Sequence, residues 1–165
     1  MKRASVFISL MVLTIIFTIS ATAQKSDFSG TWKLDRQKSQ VPEYTPILAK
    51  IRVNLKADSL LTVRTYDIGD GQEYPFDEDL SLDNKESSII IYDMPRKAMA
   101  TLSDTDNAVN LASTITFNGS GGPEDFISKE TWKIDKENNT LTISFINKSS
   151  AGESSGYFFL TREVQ

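Results

Sequence analysis

The strongest constraint on this chain is a period of two that recurs in short runs. Between Ile47 and Lys56, Ile47, Ala49, Ile51, Val53 and Leu55 share one face, while Leu48, Lys50, Arg52, Asn54 and Lys56 share the other. Successive side chains of an extended backbone point to opposite sides, so this alternation predicts a half-buried strand. Comparable β-rich runs follow at Leu60–Tyr66, Tyr74–Leu82, Ser88–Asp93, Arg96–Leu102 and Ala108–Phe117. Others lie at Gly30–Asp35, Phe126–Ile134, Thr140–Ile146 and Tyr157–Arg162. Turn formers separate them. Ile68-Gly69-Asp70-Gly71 is a hairpin signal because Gly and Asp tolerate positive φ. Asp83-Asn84-Lys85, Asp104–Asn107 and Asp135–Asn139 read as further turns, and Asn118–Pro123 as a flexible loop. Gln37–Pro46, polar with two prolines, reads as a longer loop.

No long segment has a period of 3.6. Nine or ten strands at short, regular spacing predict an all-β fold, an antiparallel up-and-down β-barrel of 8–10 strands without a long helix. Closure of such a meander removes its exposed edges.

The first residues belong to a different problem. Lys2 and Arg3 precede an uncharged apolar run, and Ala21-Thr22-Ala23 is a small-x-small cleavage signal. That order predicts a secretory leader over residues 1–23, cut after Ala23. The apolar run is short for a membrane span of about 20 residues. Residues 24–165 are expected to form one exported domain, periplasmic or extracellular, without stable insertion in a membrane. A cysteine-free chain offers no attachment point for a lipid anchor. A formal net charge of −4 argues against nucleic-acid partners.

The 165 residues contain no His and no Cys. Ser-His-Asp and Cys-His nucleophilic arrangements are therefore unavailable, as is a conventional zinc site. Acid–base work would fall to carboxylates, Lys or Tyr. Asp67, Asp70 and Glu73 flank one turn and Asp104 and Asp106 another, but their spacing does not fit a calcium loop. No metal and no cofactor is expected. Asn118, Asn138 and Asn147 begin Asn-x-Ser/Thr triplets that would matter only in a glycosylating host.

Phe28-Ser29-Gly30-Thr31-Trp32-Lys33-Leu34 resembles the opening strand of the lipocalin and fatty-acid-binding (calycin) superfamily, whose barrels begin with Gly-x-Trp. With Asp35-Arg36-Gln37-Lys38-Ser39 it is similar to exported bacterial lipocalin-like domains. The resemblance implies that Trp32 plugs the closed end of a barrel and that Arg162, on the last strand, packs across it. Gly30, Trp32 and Arg162 then form a structural fingerprint. It also implies a small apolar or amphipathic molecule, lipid-like in character, as the partner. Residues 36–46 are too few for the helical pair of fatty-acid-binding proteins, and no C-terminal helix is expected after Arg162.

Alternation places Phe126, Ser128, Glu130, Trp132 and Ile134 on one face, expected to be the inner one. Glu130 would be a carboxylate among apolar neighbours, either a ligand contact, an acid or base, or half of an ion pair with Arg162 or Arg96; a shifted register would instead leave it exposed. Arg162 would brace Trp32 or bind a ligand carboxylate. Arg96 shares a face with Ala98 and Ala100, whose small side chains would leave cavity volume; its other reading is an exposed surface Arg. Tyr92 and Phe117 supply aromatic wall. The candidate ligand-binding set is thus Arg162, Glu130, Arg96, Tyr92 and Phe117, with no catalytic motif. The expected function is an exported small-molecule-binding barrel. A filled barrel acting as an envelope assembly part is the alternative, followed by an enzyme using Glu130.

Overall fold

The computed structural model describes residues 27–43, 45–103 and 105–163. The leader predicted over residues 1–23 and Asp104 of the turn carboxylates lie outside the described residues. Ten strands form one antiparallel sheet: β1 (Gly30–Leu34), β2 (Ile47–Leu55), β3 (Ser59–Asp67), β4 (Glu73–Ser81), β5 (Ser87–Ile91), β6 (Met94–Ser103), β7 (Ala108–Gly119), β8 (Gly122–Asp135), β9 (Thr140–Ser149) and β10 (Gly152–Arg162). Their order is β4-β3-β2-β1-β10-β9-β8-β7-β6-β5, with no helix among the described residues. Each strand pairs with its chain neighbour, except that β4 and β5 do not pair, and β1 joins the first strand group to β10. The sheet curls into a nearly closed up-and-down barrel, as the strand pattern predicts.

The free edges β4 and β5 lie side by side along one seam. Pro75 and Asp77 and Asp79 sit on the β4 edge, a composition that resists pairing with another chain. Side chains close the seam instead. Tyr92 donates its hydroxyl proton to the Pro75 carbonyl at 2.6 Å, and Arg96 on β6 reaches Glu78 on β4.

Two expectations need correction. On β2 the register shifts between Leu48 and Lys50, leaving Ala49 as the extra residue of a bulge. Leu48, paired with Tyr66, is therefore fully buried, and Ile47 and Ala49 are not on the core face. Burying Leu rather than Ala is the reason the alternation breaks there. The Asn118–Pro123 loop is tighter than its glycines suggest. β7 and β8 pair as far as Gly119 and Gly122, with Gly122 at φ +121°, so the connection shrinks to Ser120 and Gly121. Long hairpins satisfy more backbone groups than an open loop does.

Inward-facing residues form layers. At one end Trp32, Leu60, Leu80, Val109, Leu141 and Leu160 are all but fully buried and fill the barrel. Trp32 donates its indole N–H to the Phe28 carbonyl at 2.9 Å, so its one polar atom is satisfied. The Arg162 guanidinium lies 4.5 Å from the Trp32 ring centroid and donates to the Asp27 carbonyl at 3.2 Å. Gly30 is fixed by its backbone, at φ +135°, where L side chains are strained; a Cβ there would make only ordinary contact, 3.5 Å, with the central carbon of that guanidinium. Close packing fixes Gly156. A Cβ at that position would come within 2.3 Å of the Gln40 carbonyl and 2.9 Å of the Phe145 ring. The Gln40–Tyr157 bridge ties the 35–46 loop across β10 at the other end of the barrel.

Candidate functional site: a cavity above two buried ion pairs

Between the filled end and the opposite rim, charged residues replace aliphatic ones on the inner face. Leu60, Thr62, Arg64 and Tyr66 alternate inward on β3, and Phe76, Glu78 and Leu80 on β4. Glu130 faces inward from β8 and Arg96 from β6. Arg64, 1% exposed, forms a bidentate pair with Glu130, both N···O distances being 2.9 Å. Trp132 adds an indole N–H to Glu130 Oε2 at 2.7 Å, and the Arg64 guanidinium lies 5.1 Å from the Trp132 ring centroid. The second pair is Arg96 with Glu78, at 2.9 and 3.1 Å. Arg96 also donates to Ser113 at 2.8 Å and lies over Phe76. Phe76 stacks in turn on Tyr66.

Desolvation by burial favours the neutral acid at Glu130, but the Arg64 charge, the Arg64 and Trp132 hydrogen bonds and the Arg96 charge outweigh it. The carboxyl is held below its ordinary pKa. Burial likewise works against the Arg64 cation, and the Glu130 carboxylate overcomes it, so the guanidinium pKa is raised. Both groups are ionised at neutral pH, and the pair is neutral as a whole.

Above them lies a cavity of about 430 Å³. Glu130, Arg96, Ser128 and Asn147 are among the polar groups of its lining. Its apolar wall includes Phe76, Ile115, Phe117, Phe126, Phe145 and Phe158. It reaches the surface beside Ile68 and Tyr92, 57% and 53% exposed. Tyr92 and Asp93 form the tight β5–β6 turn at φ 49° and 65°. This is a demanding backbone for a bulky aromatic residue, and its hydroxyl is fastened to β4.

Four of the five sequence candidates, Glu130, Arg96, Tyr92 and Phe117, line this one cavity. Arg162 does not; it sits at the filled end over Trp32. Glu130 pairs with Arg64 rather than with Arg162 or Arg96, and Arg96 is buried rather than a surface residue. Arg64, Glu78 and Tyr66 were missing from the candidate set. Their signal was present, since Arg64 and Glu78 each occupy an apolar register of an alternating strand, but only barrel closure shows that the two meet partners across the interior. Of the turn carboxylates, Asp67 accepts from Gly69 N–H and from Arg36, and Asp70 from Gln72 N–H.

No protein-family model, curated protein or solved structure matches this chain, and the site is therefore read from its own chemistry.

Proposed function

We propose that this protein binds a small apolar or amphipathic molecule inside its barrel, and that it does so after export from the cytoplasm. The carrying observation is the cavity. Its volume of about 430 Å³ falls in the range of small-molecule sites, about 300–1,000 Å³, and an aromatic wall with few polar groups is their usual composition. Kinship with the lipocalin and fatty-acid-binding superfamily is supported by Gly30, Trp32 and Arg162, which stack at the filled end. The leader-like residues 1–23 support export.

The cavity counts against a wholly filled barrel serving only as an assembly part. Enzymatic use of Glu130 is disfavoured as well. Both of its oxygens are engaged, and a carboxyl held below its ordinary pKa is a poor general acid at neutral pH.

Fluorescence titration with Nile red, a neutral apolar dye, tests the proposal. Saturable one-to-one binding is expected, and Phe117→Arg, which places a bulky cation in the wall, should abolish it. Absence of saturable binding by the folded wild-type protein, or undiminished binding by the variant, would refute it.

A further inference from the structure

Ser128 and Asn147 stand opposite one another in register on β8 and β9. Ser128 occupies the inward position next to Glu130 on the rimward side, so the two side chains lie just above the ion-pair layer. They are 8% and 7% exposed, and both line the cavity. Neither side chain makes a hydrogen bond to another described residue, and neither is a sealed, unsatisfied buried group; their polar atoms open onto the cavity. A hydroxyl and an amide side by side in the wall of an otherwise apolar cavity are the kind of few, placed polar groups that orient a ligand. Tyr66 adds a third group to the lining. Its oxygen accepts from Arg64 at 3.2 Å, which leaves its own proton available.

Each charged group nearby already has an ion-pair partner. The guanidinium of Arg96 uses all three nitrogens, two on Glu78 and one on Ser113. Arg64 is engaged by Glu130 and Tyr66 and is not part of the lining. A ligand carboxylate would enter beside Glu130, and the lining cation Arg96 is already paired with Glu78. A ligand ammonium would find the Glu130 carboxylate already paired with Arg64 and the Arg96 guanidinium in the same wall. Burying either charge without a partner is costly, whereas a neutral hydroxyl, carbonyl or amide fits the free donors and acceptors.

We infer that the ligand is an uncharged amphiphile whose single hydroxyl, carbonyl or amide head is held by Ser128 and Asn147 above the ion pairs, with its apolar body along the aromatic wall. This deepens the binding role proposed above and rests on it. The fold uses its buried arginines to neutralise its own carboxylates, so they do not serve as anion receptors.

Competition against bound Nile red with decanol, decanoate and decylammonium near pH 8 is the direct test. These probes share one chain and differ in head charge. Decanol is expected to bind at least about tenfold more tightly than either ion. Asn147→Leu and Ser128→Ala should each erase most of that margin by weakening decanol relative to both ions. Decanoate or decylammonium binding as tightly as decanol would overturn this inference while leaving the binding role intact. So would both variants keeping the full margin. Failure of all three probes and of Nile red to bind would remove the binding role itself.

Discussion

The Arg64–Glu130 pair gives the sharpest test of how the interior is held. Glu130→Gln keeps the shape and an acceptor for the Trp132 indole, but strands a guanidinium that is 1% exposed. With charge centres about 4 Å apart and an effective dielectric near 20, the lost attraction is about 4 kcal/mol. That agrees with the roughly 3–5 kcal/mol typical of removing one partner from a buried pair. Arg64→Met removes the other partner and should cost a similar amount. The double variant Arg64→Met/Glu130→Gln leaves no stranded charge and should lie within about 2 kcal/mol of wild type, because the desolvation penalty disappears together with the attraction. Urea unfolding of the four proteins measures these terms. In melting temperature, each single variant should fall by about 10–20 °C. Acid unfolding supplies a second reading. The folded Glu130 pKa is depressed below its unfolded value. The stability it contributes is therefore fully present above the unfolded carboxylate pKa, about 4.3, and is lost as pH falls below that value toward the folded pKa. Wild type should lose stability faster than the double variant across that acid range. Additive costs in the double variant, or single variants within about 1 kcal/mol of wild type, would refute the reasoning.

Two further outcomes separate packing from binding. Arg162→Ala should lower stability by about 1–2 kcal/mol through loss of the contact over Trp32, and leave Nile red affinity unchanged, as read by urea titration and fluorescence. Gly156→Ala forces a Cβ to within 2.3 Å of the Gln40 carbonyl, so hydrogen exchange at Tyr157 should accelerate and stability should fall by about 1–3 kcal/mol.

The architecture was legible in the sequence because strand pattern is local. Period-two runs and turn formers define ten strands without reference to distant residues, and β8 keeps the inward face that alternation assigns it. Where burial of one side chain could compete with strict alternation, as at Leu48 on β2, local reading failed, because the bulge is set by packing against Tyr66 on the neighbouring strand.

What the sequence determined by itself is therefore the class of fold, the absence of His and Cys chemistry, and an interior carboxylate at Glu130. Which charges meet follows from closure of the barrel. Arg64 and Glu130 are 66 residues apart, and Glu78 and Arg96 are on strands that do not pair. Curling of the sheet brings each guanidinium onto its carboxylate and moves Arg162 to the filled end, away from the cavity. It also leaves Ser128 and Asn147 as free polar groups in the cavity wall. Ion pairing depends on distances through space across a closed barrel. Periodicity along the chain specifies which face a residue takes, and carries no record of what lies opposite.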